Sequence, residues 1–159
     1  MGAPDDRGPG IRLPPPFVFV AGFAAGWLLN RRLEFLIDGD GPGALQETVG
    51  AALLGIGLLV MATGVVTFIR ARTTVIPNRP ARQLVTWGPY RFTRNPMYVG
   101  LTAAYLGLTC LTNLAWPLVL LPAVIATMNV AIIRREERYH NTAFGDAYAE
   151  YCRRVRRWL

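Results

Sequence analysis

The 159 residues leave room for one domain rather than two, and 52% of them are hydrophobic against 17% charged, where a soluble protein carries about 25% charged residues. The formal charge of +7 comes from arginine without any lysine; beside the apolar runs below it suits a membrane surface better than nucleic acid. A single histidine, His140, excludes a histidine-rich metal site, and Cys110 and Cys152 make neither a disulfide framework nor a metal motif.

Residues 1–16 are rich in Pro and Gly and read as a flexible tail ending at Pro14-Pro15-Pro16. Asp5 and Asp6 stand where a signal peptide would be basic, so the first apolar run reads as a retained helix. That run, Phe17–Leu29, reaches Ile37 only by crossing Asn30-Arg31-Arg32, and a span over 17–37 is expected. The second run, Val49–Ile69, has no charge and is the clearest transmembrane segment. Its Gly50, Gly57 and Gly64 recur every seven residues and share a face that lets another helix come close. Runs three and four, 97–111 and 114–133, are separated by little more than Thr112-Asn113 and form an antiparallel helical hairpin. Pro117 and Pro122 are candidate kinks in the fourth run, and Asn129 needs a polar partner.

Beyond the fourth run, Phe144, Tyr148, Tyr151, Val155 and Trp158 recur at helical spacing with Arg153, Arg154, Arg156 and Arg157 largely off that stripe. An amphipathic helix over about 144–158 follows, lying in the interface or capping the bundle, with Gly145 separating it from the helix before. The expected fold is therefore an all-α, polytopic membrane bundle of about four transmembrane helices in one domain, 17–159, plus this C-terminal interfacial helix. Arg70, Arg72, Arg79, Arg82, Arg91 and Arg94 between runs two and three stand without an acid, and seven more arginines follow run four. The loop between runs one and two carries Glu34, Asp38, Asp40 and Glu47 instead. This bias places the middle loop, the C-terminus and, after four crossings, the N-terminus in the cytoplasm.

Three polar clusters collect at that face as candidates for chemistry, one of them the aromatic and basic face of the C-terminal helix. Arg91 and Arg94, in an aromatic loop just before run three, offer paired donors to a carboxylate or phosphate, or anchor the helix at the headgroups. Pro96 suits the first turn of the helix that follows. At the end of run four lies Arg134-Arg135-Glu136-Glu137-Arg138. Adjacent helical residues point about 100° apart, so one Glu can face the bundle while the other pairs with an Arg at the surface; the alternative is a solvated, self-paired charge run. The tight hairpin brings 94–98 and 134–138 to the same membrane face. There is no P-loop, GxGxxG fingerprint or nucleophile elbow.

Gly88-Pro89-Tyr90-Arg91-Phe92-Thr93-Arg94-Asn95-Pro96-Met97-Tyr98-Val99-Gly100, an apolar hairpin and then Glu136-Glu137 resemble the isoprenylcysteine carboxyl methyltransferase family and the related phospholipid N-methyltransferases. The shared pattern is Arg-His-Pro-any-Tyr, a hydrophobic stretch and Glu-Glu, followed by a region similar to Phe144–Tyr148 and Tyr151; the resemblance covers about residues 49–159. Asn95 replaces the usual His of the first motif, and Asn binds by hydrogen bonds but does not titrate near neutral pH.

The resemblance implies S-adenosylmethionine as methyl donor, with Tyr90, Arg91, Asn95, Pro96, Tyr98, Glu136 and Glu137 shaping its pocket and Arg94 and Glu137 as catalytic residues. It implies a lipophilic or lipid acceptor drawn from the membrane, with no nucleic-acid or metal partner, and a bacterial inner-membrane location. The acceptor is an isoprenylcysteine-type carboxylate or similar; a phospholipid amine is the alternative. Gly55 and Gly57 are a weak match to a Gly-any-Gly element of the phospholipid branch. An NADPH-dependent sterol-reductase-like enzyme, which shares both motifs, and a non-catalytic membrane scaffold are the remaining alternatives.

Overall fold

Prolines open the first helix, α1 (Pro15–Asn30), in its first turn, where a missing N–H is harmless. The computed structural model describes residues 14–73 and 83–159. The expected tail 1–16, apart from its last three prolines, and Arg79 and Arg82 of the middle loop lie outside the described residues.

α1 stops at Asn30 and does not continue to Ile37. Asn30 Oδ1 accepts the Phe35 N–H at 2.8 Å, turning the chain out of the helix over Arg31-Arg32. The residues beyond run extended against the corner at Thr112-Asn113, with Leu36 bridging Leu114. Helix α2 (Ala44–Arg70) starts earlier than its uncharged run, taking in Glu47 in its first turn. There a carboxylate is favoured by the helix dipole. Helix α3 (Pro96–Leu111) opens on Pro96, as expected.

Helix α4 (Ala115–Thr127), a π-helical stretch over Met128–Ile133 and helix α5 (Arg134–Phe144) form one continuous rod. The fourth element therefore does not end at Ile133, where its apolar stretch ends; it carries on through the charged residues. Pro117 lies in the first turn of α4 and Pro122 inside it, while the helical geometry changes further on, at Met128–Ile133. Gly145, at φ +51°, breaks the rod from helix α6 (Asp146–Arg154), because a side chain rarely tolerates that backbone angle. α6 is shorter than the expected 144–158: Val155 is already extended. Its apolar face, Tyr148 and Tyr151, is buried within the protein. α6 caps the bundle and does not turn that stripe to an interface.

The most extensive helix contact is α2 with α3, and the glycine seam explains it. Gly50, Gly57 and Gly64 are all buried. A Cβ on Gly57 would sit 2.5 Å from the Gly100 carbonyl oxygen, and one on Gly107 2.6 Å from that of Gly50. Only glycine lets these two backbones touch. Gly55 faces open space and takes no part. α1 packs against α4 and reaches α3, filling the space between the arms of the hairpin: Phe19 and Phe23 meet the Tyr105 ring edge-on, and Gly26 abuts Pro117. Val18, Phe19, Tyr98, Tyr105, Val124, Met128, Ile132 and Ile133 form the core.

Asn113 locks the far end of the bundle. It takes the left-handed conformation (φ +56°) and its side chain binds Asp38 N, Asp38 O and Gln46 Nε2 at 3.0, 2.7 and 3.0 Å. Among the described residues two helices, α2 and the rod Ala115–Phe144, are long and apolar enough to cross a membrane; α1 and α3 are apolar but shorter. Ile56, Leu59 and Ile69 on α2 and Leu118 and Val119 on α4 are exposed, an outer surface suited to lipid.

Candidate functional site

The 3₁₀ turn Gly88–Arg91 turns Tyr90 inward and Arg91 outward. Tyr90 packs edge-on against Phe68 of α2, with ring centres 5.1 Å apart, and its carbonyl accepts the Tyr151 hydroxyl at 2.6 Å. Arg91 is exposed and lies over the Phe92 ring at 4.6 Å. From Thr93 to Asn95 the chain crosses to α3, whose first turn buries Pro96 and Tyr98. The rod α4–α5 brings Glu136 and Glu137 to the same place.

The two glutamates face different surroundings. Tyr98 donates its hydroxyl to Glu136 Oε1 at 2.7 Å. Burial pushes the Glu136 carboxyl up to about 7; the Tyr98 bond pulls the other way, and the Glu137 charge adds to the rise. Among the described residues no cation pairs with it. Glu137 is instead clamped by Arg157, which donates Nε to Oε1 at 2.8 Å and Nη2 to Oε2 at 2.6 Å. Arg94 Nη1 adds a contact at 3.1 Å to Oε1. This fork geometry is the strong form of a carboxylate–guanidinium pair. The pairing with Glu137 holds the Arg157 guanidinium above its ordinary value. Arg94 Nη1 also faces Cys152 Sγ at 2.7 Å and Tyr148 Oη at 3.5 Å.

Among the described residues, three buried polar atoms have no hydrogen-bond partner: Tyr90 Oη, Arg94 Nε and Asn129 Oδ1. Such atoms are costly to leave unpaired and point to a ligand's polar groups. Burial, with the Tyr151 and Glu136 charges adding, pushes the Tyr90 phenol far up, so its hydroxyl is a proton donor at any physiological pH. Burial draws His140 down to about 4, which leaves it neutral, with its ring edge-on to Tyr148. Beside the ion pairs runs a groove of about 760 Å³ lined by Arg94, Glu137, Arg138, Asn141, Tyr148 and Cys152, with Val130 at its apolar edge.

The structure thus joins Tyr98 to Glu136 and Arg94 to Glu137, and sets the Tyr90 hydroxyl, unpartnered, among buried groups. Pro96 is buried in the first turn of α3, two residues before Tyr98. Arg91 is not brought in. Asn95 turns its amide to the Arg157 carbonyl at 2.9 Å. Asn129, singled out in sequence as needing a partner, has none for its oxygen. Arg157, Tyr148 and Cys152 are among the site residues that sequence reasoning did not assign. Arg157 is one of four arginines within five residues, and nothing in their order distinguishes it.

Over 107 residues the chain is 35% identical to the cobalt-zinc-cadmium resistance protein CzcN of Cupriavidus metallidurans. Over the same length it is 31% identical to the nickel-cobalt-cadmium resistance protein NccN of Alcaligenes xylosoxydans xylosoxydans. Each comparison covers 67% of this chain and 49% of the relative, so the chain spans about half the length of the curated relatives it matches. No solved structure matches it. The match of residues 45–147 to the phospholipid methyltransferase family takes in the glycine seam, Arg94–Tyr98, the hairpin and both glutamates, and the chain belongs to that family.

Proposed function

We propose that the chain is an S-adenosylmethionine-dependent methyltransferase acting at a membrane on a lipophilic acceptor. The observation that carries this reading is the contrast between the glutamates: Glu137 is neutralised by two arginines, and Glu136 has only a tyrosine. The residues present fit the cofactor. Glu136 suits its cationic groups, and Tyr90 Oη and Asn129 Oδ1 offer a buried donor and acceptor for its other polar atoms, which leaves the Arg94 Nε donor to the acceptor. Bound there, the cofactor supplies an electrophilic methyl group on a sulfonium.

The chain's own part is to hold, orient and exclude water. Arg94 orients an ionised carboxylate acceptor of the isoprenylcysteine type, which needs no base. A phospholipid amine is the second reading, favoured by the Glu136 carboxyl titrating at about 7: its carboxylate takes the proton an ammonium must lose before it attacks. Val130, exposed at the apolar edge of the groove, suits a tail that enters from the lipid side. In this reading α1–α3 and the apolar part of the rod, up to Ile133, cross the inner membrane of a bacterium, with α5 and the site on the arginine-rich cytoplasmic face.

Calorimetry on the purified full chain with S-adenosylhomocysteine and, separately, with NADPH tests the cofactor; labelled methyl transfer on native membranes, with mass spectrometry of the extract, identifies the acceptor. Binding of the homocysteine analogue and label in a lipid-soluble product are expected. Binding of NADPH alone, as in a reductase, or of neither, as in a scaffold, overturns the reading.

A further inference from the structure

An asparagine at a helix N-cap ordinarily turns its side-chain oxygen to the N–H groups of the first turn. Asn95 is the N-cap of α3 and makes no such bond. Its Nδ2 instead donates to the Arg157 carbonyl at 2.9 Å. The same carbonyl accepts from Thr93 Oγ1 at 3.1 Å, and Thr93 Oγ1 in turn accepts the Asn95 N–H at 3.2 Å. One residue earlier, the Arg156 carbonyl accepts the Arg94 N–H at 2.9 Å. These bonds hold main-chain atoms, so they fix the path of the chain at Arg156 and Arg157 whatever the side chains do. Two side chains use the placement: Arg157 forks onto Glu137, and Trp158 packs against the core cluster.

We propose that Asn95 is a positioning residue which, with Thr93, clasps the Arg157 carbonyl and seats residues 155–159 over the site. So placed, Arg157 neutralises Glu137 and leaves Glu136 as the carboxylate open to a cationic ligand. The ligand's identity rests on the methyltransferase reading; the clasp does not. In the resembling motif this position is the residue expected to meet cofactor, and here its amide is already engaged by the protein.

The test uses the full chain labelled with fluorotryptophan, the Trp158 resonance being assigned with Trp158→Phe. Asn95→Leu keeps the volume and removes the donor; Asn95→His keeps a ring N–H. In Asn95→Leu the Trp158 resonance should move toward its solvent position. The affinity for S-adenosylhomocysteine should fall about tenfold, the worth of one well-placed hydrogen bond. Asn95→His should restore both. An unmoved Trp158 resonance in Asn95→Leu overturns the clasp. Unchanged or tighter binding with the resonance moved overturns its effect on the site and marks the segment as a blocking one. Should the parent bind no S-adenosylhomocysteine, the methyltransferase reading fails and the Trp158 resonance alone decides the clasp. Should Asn95→Leu not fold, Thr93→Val removes the second donor to the same carbonyl and is held to the same outcomes.

Discussion

The hydroxyl of Tyr98 lies 2.7 Å from Oε1 of Glu136, joining the start of α3 to the charged end of the α4–α5 rod. One residue on, about 100° round the helix, Glu137 points to Arg94 and Arg157. Two identical side chains, adjacent in sequence, thus have opposite electrostatic surroundings. One is a buried acid with a neutral partner, and the other is compensated twice.

This difference should appear in the pH dependence of stability. The Glu136 carboxyl is raised from 4.5 to about 7, chiefly by burial. Below its unfolded value it is protonated in both states and burial imposes no electrostatic penalty. As pH rises toward about 7 the unfolded chain ionises first, so the folded state loses stability, and the loss is complete above that value. Thermal unfolding in detergent from about pH 5 to about pH 8 should show the parent losing more stability than Glu136→Gln. Tyr98→Phe removes the bond that favours the ionised form and should shift the loss to higher pH. Superimposable profiles for parent and Glu136→Gln would contradict this account.

Arg94 and Arg91 are separated by two residues, and only Arg94 meets the glutamates. Arg94→Gln removes a half-buried cation from Glu137 and should lower stability by about 1–3 kcal/mol. Arg91→Gln, at an exposed site, should stay within about 0.5 kcal/mol. Denaturant titration in detergent separates the two, and equal losses would argue that the outward placement of Arg91 is incorrect.

The seam between α2 and α3 makes a contrast two residues apart. Gly57→Ala drives a methyl group to 2.5 Å from the Gly100 carbonyl oxygen, so the helices must part. A loss of about 1–3 kcal/mol is expected from such overpacking. Gly55→Ala meets nothing within 4 Å and should be neutral or stabilising by up to about 1 kcal/mol. Unfolding midpoints of the two variants, measured side by side, decide it.

At the other end of the bundle, Asn113 combines a left-handed backbone with three side-chain hydrogen bonds to the 38–46 segment. Asn113→Gly keeps the conformation and loses the bonds; Asn113→Ala loses the bonds and strains the backbone by about 1–2 kcal/mol more. The expected order of stability is parent, Gly, Ala. An alanine variant as stable as the glycine one would mean the turn adopts another geometry.

Local and periodic features were legible in the sequence itself. The apolar runs, the start of α3 at Pro96, the corner at Thr112-Asn113, the break at Gly145 and the glycine face of α2 each depend on a few neighbouring residues or on a fixed repeat. The meeting of 94–98 with 134–138 followed from the shortness of the corner. What only the tertiary structure decided were choices among chemically equivalent residues. Glu136 and Glu137 are identical until packing against Tyr98 separates them, and Arg157 differs from Arg153, Arg154 and Arg156 only because α6 ends at Arg154 and the chain then runs extended across Asn95. The end of α1 at Asn30 is of the same kind, since Leu36 leaves the helical path for a partner 78 residues away in the chain, Leu114. Helices are specified by neighbours along the chain; partners for charged and polar groups are specified by distance in space, which composition and periodicity do not contain.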